Sequence, residues 1–309
     1  MPTSGSKPSI VFFGSGPVAA KSLKLLAKNF EIEAVITKPR APHHRGEVPV
    51  LDEAEKLKLP VHTASNRTEL DELFRHHPVK SHLGILIDFG IIVSQRVIDY
   101  FPLGIINSHF SILPEWRGAD PITFAILSGQ KQTGVSLMLL VEKMDEGPLL
   151  AFGSLDLPPD ITTPLLTTHL IHLSDALLKA EVPQYLAGKR QGAPQTITDR
   201  AVSYSRKLTK EDGVIDWKKP AEQIEREIRA FIEWPKSRTT LFDKEVIITA
   251  AGVRKQEAGD KKRANGEVYE TDDGQLVVQT GQDLLVIERL KPAGKNEMSV
   301  AEFRRGYLR

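Results

Sequence analysis

The stretch Ile10-Val11-Phe12-Phe13-Gly14-Ser15-Gly16-Pro17-Val18-Ala19 passes from a short apolar run, through two glycines, into a segment with helical spacing. It predicts a strand that turns tightly into a helix, because glycine permits the turn and proline favours a first helical turn. The turn also matches the G-x-G-x-x-G/A fingerprint of dinucleotide-binding domains. That fingerprint requires an acidic residue near the end of the second strand, where Thr37 and Lys38 stand. A plain strand-to-helix turn is therefore favoured over a nicotinamide site.

Strand-like and helical patterns alternate downstream of this turn. The spacing predicts helices over 18–30 and 93–101, and strands over 32–37, 83–87 and from Gly104 onward. Alternating strands and helices indicate an α/β domain with a parallel sheet, whose ligands bind beyond the carboxyl ends of the strands. A further helix is predicted over 165–178, begun by Thr163-Pro164, and Pro183 is expected to break or kink the chain beyond it.

The second half of the chain has a different texture. One helix is predicted over 224–232, and short β-type runs come after it, as expected for a small barrel or sandwich: 245–249, 266–269, 276–280 and 284–290. Because the interval before this half is polar and poorly periodic, we expect three parts: an N-terminal domain at 1–189, a linker at 190–207 and a C-terminal domain at 208–309.

Composition excludes several classes of protein. The 309 residues include no cysteine, so disulfides, thiolate metal sites and a cysteine nucleophile are excluded. The longest unbroken apolar run is 137–141, far short of the roughly 20 residues of a membrane helix, and the polar N-terminus does not resemble a signal peptide. We expect a cytoplasmic monomer. With 41 basic and 40 acidic residues, only a local basic patch, such as the excess at 289–309, could bind nucleic acid.

Asn107 and His109 stand two residues apart at the end of a predicted strand, so their side chains should share one face. An amide donor beside an imidazole suits acyl transfer, in which one group stabilises an oxyanion and the other moves a proton. For the bare pair, the alternative that Asn-x-His only ends a strand is favoured. Asp145 comes after a later strand and could orient the histidine, although alone it is only a loop carboxylate.

Other motifs point to no function. Asp88-Phe89-Gly90 copies a kinase metal motif by chance, since no other kinase motif is present. The pairs His43-His44 and His169/His172, the latter with Asp175 one turn later, have no recognised zinc or iron spacing. We therefore predict no metal site.

Several motifs together resemble the methionyl-tRNA formyltransferase family. Its loop signature S-L-L-P-x-x-R-G-x-x-P is matched by Ser111-Ile112-Leu113-Pro114-Glu115-Trp116-Arg117-Gly118-Ala119-Asp120-Pro121. Asn107-Ser108-His109 and Met144-Asp145-Glu146-Gly147 match its catalytic segments, and the run from Tyr204 to Trp217 looks like its domain junction. The resemblance covers nearly the whole chain.

The resemblance implies a Rossmann-like parallel-sheet formyltransferase domain followed by a small OB-like β-barrel domain. It implies formyl transfer from 10-formyltetrahydrofolate to initiator methionyl-tRNA, without a metal, with Asn107, His109 and Asp145 as catalytic residues. Six residues are expected at the folate site: Phe89, Gly90, Ser111, Ile112, Leu113 and Pro114. Seven are expected to contact tRNA: Arg40, Arg45, Arg117, Lys291, Lys295, Arg304 and Arg305.

Two features depart from the family pattern. The basic loop after the second strand, 38–46, is shorter than usual, and Asp88 stands where a small residue is common near the folate pocket. Three alternatives remain at this point. A formyltransferase for amino-sugar nucleotides should lack the tRNA-type C-terminal half, an oxidoreductase would need the missing acid near Thr37, and a tRNA-binding module without chemistry would not need the complete triad.

Overall fold

The first of two units in this computed structural model is built on a seven-stranded sheet. The structure describes residues 7–41, 46–257 and 263–307. Contacts group Met1–Gly118, Thr133–Leu155 and Thr167–Ser205 into one unit, and Ala119–Gln132, Asp156–Leu166 and Arg206–Arg309 into the other. The segment 190–205 thus clusters with the first unit.

The sheet of the first unit has the order β3-β2-β1-β4-β5-β7-β8. Pairing is parallel from β3 to β5, whereas β5 and β7 are antiparallel. The predicted parallel sheet is confirmed. Its strands are β1 (Ser9–Phe13), β2 (Glu31–Thr37), β3 (Val61–Thr63), β4 (Gly84–Leu86), β5 (Ile105–His109), β7 (Gln132–Leu139) and β8 (Leu149–Asp156); the short β6 (Arg117–Gly118) pairs in parallel with β9 (Tyr204–Ser205).

Helices connect these strands, and the apolar faces of the helices pack on the sheet to form the core. They are α1 (Pro17–Asn29), α2 (Pro49–Lys56), α3 (Arg67–His76), α4 (Gln95–Tyr100) and α6 (Thr163–Leu186). Phe13, fully buried, contacts the rings of Phe74, Phe89 and Phe101. Pro183 does not break α6, because the helix continues past it to Leu186 along a buried stripe that includes Leu170, Leu178 and Val182.

The second unit is built on an antiparallel sheet of six strands in the order β10-β11-β14-β13-β12, with β15 beside β14. Ile224, Ile228 and Phe303 lie in its core beside the inward residues of the sheet. The elements are α5 (Pro121–Ser128), α7 (Ala221–Ala230), β10 (Ser237–Leu241), β11 (Lys244–Arg254), β12 (Val268–Glu270), β13 (Leu276–Gln279), β14 (Leu284–Pro292), β15 (Met298–Ser299) and α8 (Val300–Tyr307). Among the helices of the described ranges, none combines the length and the hydrophobicity of a membrane-spanning segment.

Candidate active site

Asn107 and His109 lie together at the carboxyl end of β5, both 7% exposed. Strand alternation turns Ser108 to the opposite face, where its hydroxyl meets that of Ser174 at 2.7 Å. The structure therefore confirms that the predicted pair shares one face of the sheet.

Asp145 joins this pair from the loop between β7 and β8, and its side chain is also buried. Its Oδ2 accepts a hydrogen bond from the Gly118 backbone N–H at 2.7 Å. Its Oδ1 lies 3.4 Å from Asn107 Nδ2, the donor, and 3.8 Å from His109 Nδ1. The three predicted catalytic side chains thus form one cluster, with the carboxylate held by the backbone of β6.

The contacts of the imidazole define which nitrogen is basic. His109 Nε2 lies 2.9 Å from the carbonyl oxygen of Trp116. Because a carbonyl oxygen only accepts, Nε2 donates in the neutral ring and Nδ1 keeps its lone pair. The 3.8 Å separation from Asp145 is too long for a hydrogen bond, but a proton taken up at Nδ1 would face the carboxylate. His109 Nδ1 can therefore accept a proton, and the Asp145 carboxylate can stabilise the imidazolium that results.

The loop 111–114 is held from several sides, and all four residues are buried. The Ser136 hydroxyl donates to the Ser111 carbonyl at 2.8 Å and accepts from the Leu113 N–H at 2.9 Å. Thr198 Oγ1 donates to the Leu113 carbonyl at 2.7 Å. The predicted folate residues Ser111, Ile112, Leu113 and Pro114 therefore lie in a buried loop that hydrogen bonds fix just after β5.

Phe89 and Gly90, the other two predicted folate residues, come after β4, the parallel neighbour of β5. Phe89 is half-buried against Phe13, and the Gly90 N–H donates to Ser15 Oγ at 3.2 Å. Both predicted parts of the folate site thus lie just past adjacent parallel strands, where open α/β sheets bind ligands.

Asp88 gives a structural reason against a dinucleotide at the glycine turn. Its carbonyl oxygen accepts from the N–H groups of Ser15 and Gly16 at 3.0 and 3.3 Å. Its carboxylate packs so closely on Gly16 that a Cβ there would lie 1.8 Å from Oδ2. A pyrophosphate at the start of α1 would meet this negative charge, so the turn is poorly suited to a dinucleotide.

Gln195 is a residue that the sequence analysis missed, since it lies in the segment interpreted as a linker. It is buried, and its Nε2 donates to the carbonyls of Asp145 and Gly147 at 2.7 and 3.0 Å. Its Oε1 accepts from Arg117 Nη2 at 2.7 Å. Periodicity carries no signal for such a contact, because Gln195 and Asp145 are 50 positions apart.

The residues predicted to bind tRNA fall into three groups. Arg40, Arg117 and Arg304 have protein partners: Arg40 bonds to Gly46 and Asp52, Arg117 lies beside Gln195 and Glu146, and Arg304 contacts Glu270 and Gly274. Lys291, Lys295 and Arg305 are exposed and form no ion pair within the described ranges. Arg45, with His43 and His44, lies outside the described residues. Across the described residues, no group of three or more His, Asp or Glu side chains could hold a metal ion.

Family models match both halves of the chain. A model described as "Formyl transferase" matches residues 9–180, and one described as "Formyl transferase, C-terminal domain" matches residues 207–308. The first match contains all three residues of the buried cluster, and the second covers nearly the whole predicted C-terminal domain.

Two relatives named methionyl-tRNA formyltransferase are each 36% identical to this chain. The protein of Roseiflexus castenholzii aligns over 96% of this chain and 95% of its own length, and that of Halorhodospira halophila over 96% of each. A solved N-formyltransferase from Helicobacter canadensis, in complex with folinic acid and dTDP-3-aminofucose, has a TM-score of 0.67 over 91% of this chain and 98% of its own. At 19% identity it shows the fold alone. With both domain models matched and close relatives aligned end to end, the chain belongs to the methionyl-tRNA formyltransferase family.

Proposed function

We propose that this protein transfers the formyl group of 10-formyltetrahydrofolate to the α-amino group of initiator methionyl-tRNA, for translation initiation. The observation that carries this proposal is the buried cluster of Asn107, His109 and Asp145 at the end of β5. The chain that holds this cluster aligns with relatives named methionyl-tRNA formyltransferase over nearly their full length.

The geometry suits attack by an amine on a formyl carbon. An α-amino group has a pKa of about 7.7–8.0, so a large fraction of the amine is neutral near neutral pH without a strong base. Attack joins the amine nitrogen to the formyl carbon, and collapse breaks the bond from that carbon to the folate nitrogen, which takes up a proton as it leaves. Asn107 Nδ2 has a second N–H for the tetrahedral oxyanion, since only one can point at Asp145. His109 Nδ1 takes the proton of the amine, and Asp145 stabilises the imidazolium.

The folate would bind beyond the ends of β4 and β5. Phe89 and Gly90 would lie on one side of it, and the loop of Ser111, Ile112, Leu113 and Pro114 on the other. These four loop residues are buried, so we assign them to shaping the pocket through the backbone. Asp88 is an exposed residue just before Phe89, and its carboxylate packs on Gly16. The departure from the family pattern at this position therefore lies at the surface, beside the glycine turn.

We assign tRNA binding to the loop 38–46, with Arg40 and Arg45, and to the C-terminal domain at 208–309, which we propose is a barrel of the OB type. Lys291, Lys295 and Arg305 are the best placed of the predicted basic residues, because they are exposed and lack ion pairs within the described ranges. Such charges displace counterions from the phosphate backbone, which gives salt-dependent affinity with little sequence information. We further propose that the protein acts as a monomer in the cytoplasm.

The function is tested by offering one labelled formyl donor to two classes of acceptor. We expect formylation of initiator methionyl-tRNA and none of an amino-sugar nucleotide such as dTDP-3-aminofucose. The His109→Ala variant is the control that ties the signal to the cluster. Transfer to the sugar nucleotide, with none to the tRNA, would replace the proposed acceptor while leaving the formyl chemistry intact.

A further inference from the structure

Gln195 makes three hydrogen bonds around the catalytic loop, and no motif of the sequence assigns it a role. Its side chain is 8% exposed. Nε2 donates to the carbonyls of Asp145 and Gly147, and Oε1 accepts from Arg117 Nη2. Every hydrogen-bonding atom of this amide therefore points at the loop that carries Asp145 or at the residue that flanks it.

The backbone of Asp145 needs such support. Its φ is 53°, in the left-handed region that costs most residues energy and persists where the surroundings hold it. The carbonyl that Gln195 binds belongs to the peptide group after Asp145, so this hydrogen bond fixes the direction in which the chain leaves the residue. On the other side, Gly147 lies so close to β7 that a Cβ there would be 1.8 Å from the Leu139 carbonyl oxygen.

Arg117 completes the arrangement and locks the orientation of the amide. Its Nη2 donates to Gln195 Oε1 at 2.7 Å, and its Nη1 lies 3.4 Å from Glu146 Oε1. The next residue, Gly118, donates its N–H to Asp145 Oδ2. The Arg117 side chain is only 12% exposed, which suits a buried positioning role better than a phosphate contact.

We infer that Gln195 is a positioning residue for Asp145, and that Arg117 acts with it by orienting its amide rather than by binding tRNA. This inference rests on the proposed function, since Asp145 must act in formyl transfer for its position to matter. Removal of the amide would let the loop relax, and displacement of a catalytic group by about 1 Å can cost about a hundredfold in rate.

The first test is Gln195→Met, which keeps the length and removes all three hydrogen bonds. We expect kcat to fall about 10- to 100-fold, with the KM values for tRNA and formyl-folate changed less than about threefold, because the side-chain amide of Gln195 is bonded to Asp145, Gly147 and Arg117. Gln279→Met is the matched control. Gln279 is 1% exposed in β13, its side-chain amide bonds to Gln256 and Thr280, and its loss should lower stability without changing kcat.

The second test uses Gln195→Glu, which keeps the acceptor for Arg117 but removes the donor. The carboxylate faces the two carbonyl oxygens that the amide bound, so both hydrogen bonds to the loop are lost and the negative charge repels both oxygens. We expect kcat to fall at least as far as in Gln195→Met, with the KM values again changed less than about threefold. A kcat near that of the wild type would contradict the role of the donor.

The third test separates the two roles of Arg117. Arg117→Lys keeps the charge but loses the planar fork, so we expect a several-fold lower kcat and an unchanged KM for tRNA. A raised KM for tRNA at normal kcat would return Arg117 to substrate binding, and a normal kcat in folded Gln195→Met would overturn the whole inference. A wild-type protein inactive on methionyl-tRNA would count against the proposed function instead, so the two failures are distinct.

Discussion

Charged side chains are held in opposite ways around Asp145 and in the segment 289–305. Around Asp145, the carboxylate is buried and receives contacts from β5 and β6, and Gln195 donates to the backbone carbonyl of the same residue. In the segment 289–305, Arg289 pairs with Glu297 and Arg304 with Glu270, whereas Lys291, Lys295 and Arg305 are exposed without ion pairs in the described part of the chain.

The difference separates two uses of charge. A buried carboxylate acts over short distances at a fixed geometry, so its neighbours must be placed to within a fraction of an ångström. An exposed ammonium or guanidinium attracts a polyanion from any orientation and needs no fixed partner. Substitutions around Asp145 should therefore lower kcat. Substitutions of the exposed basic residues in the segment 289–305 should weaken tRNA binding and reduce its salt dependence.

The largest effect should come from the catalytic cluster. We expect Asn107→Ala, His109→Ala and Asp145→Ala each to lower kcat/KM at least about a hundredfold, because each removes a donor, a base or a charge at the reacting atoms. Steady-state formylation rates measure this, and circular dichroism checks that each variant is folded. Near-normal transfer by His109→Ala would refute the assigned roles.

A smaller loss should result from Gly147→Ala, which leaves the catalytic side chains intact. A Cβ at this position would lie 1.8 Å from the Leu139 carbonyl oxygen, so the loop that carries Asp145 must shift. We expect kcat to fall about tenfold or more.

Gly306→Ala in α8 is the matched control for Gly147→Ala. Nothing lies within 4 Å of its added Cβ, so activity should not change. Equal rates for the two alanine variants would show that the catalytic loop tolerates displacement, and would remove the contrast between the two regions.

The exposed basic residues should alter binding and leave chemistry alone. We expect the triple variant Lys291→Ala, Lys295→Ala and Arg305→Ala to raise the KM for tRNA about five- to tenfold and to flatten the dependence of log KM on log salt, with kcat unchanged. Arg254→Ala is the control, because Arg254 is already paired with Asp273. The same salt slope in the triple variant and the wild type would assign this surface a role other than tRNA binding.

The smallest effect concerns stability in the second unit. Arg206 donates two hydrogen bonds to Asp212, and together with the N–H and hydroxyl of Thr209 it outweighs burial and holds the pKa of that carboxyl well below its ordinary value. A depressed folded pKa stabilises the protein above the unfolded value of about 3.9 and loses this contribution as the pH falls toward the folded pKa.

Asp212→Asn should therefore lower the free energy of unfolding by about 1 kcal/mol at pH 7, a modest value because Arg206 is largely exposed. Denaturant melts at pH 7 and pH 3 measure the difference, which should shrink at the lower pH. The exposed Asp273→Asn is the control and should change less. A difference that is independent of pH would show that the charge of Asp212 does not matter.

Local patterns were sufficient for much of the fold. Strong periodicity and the glycine turn predicted α1, β2 and the parallel sheet, and the short β-type runs of the second half correspond to β11, β13 and β14. Other elements were missed, among them α2, α3, α5, β10 and α8. The helices α2, α5 and α8 have eight residues each, and helices this short depend more on tertiary packing than on their own propensity.

The same division holds for the active site. The sequence by itself determined which residues are predicted to be catalytic: strand alternation places Asn107 and His109 on one face, and the motifs that match the family add Asp145. Only the tertiary structure decided how Asp145 is held, because Arg117 and Gly118 in β6 and Gln195 before β9 are distant from it in the chain. They meet Asp145 only when β6, the loop after β7 and the segment before β9 pack together. A hydrogen bond between residues 50 positions apart leaves no period in the sequence, whereas a strand with one buried face does.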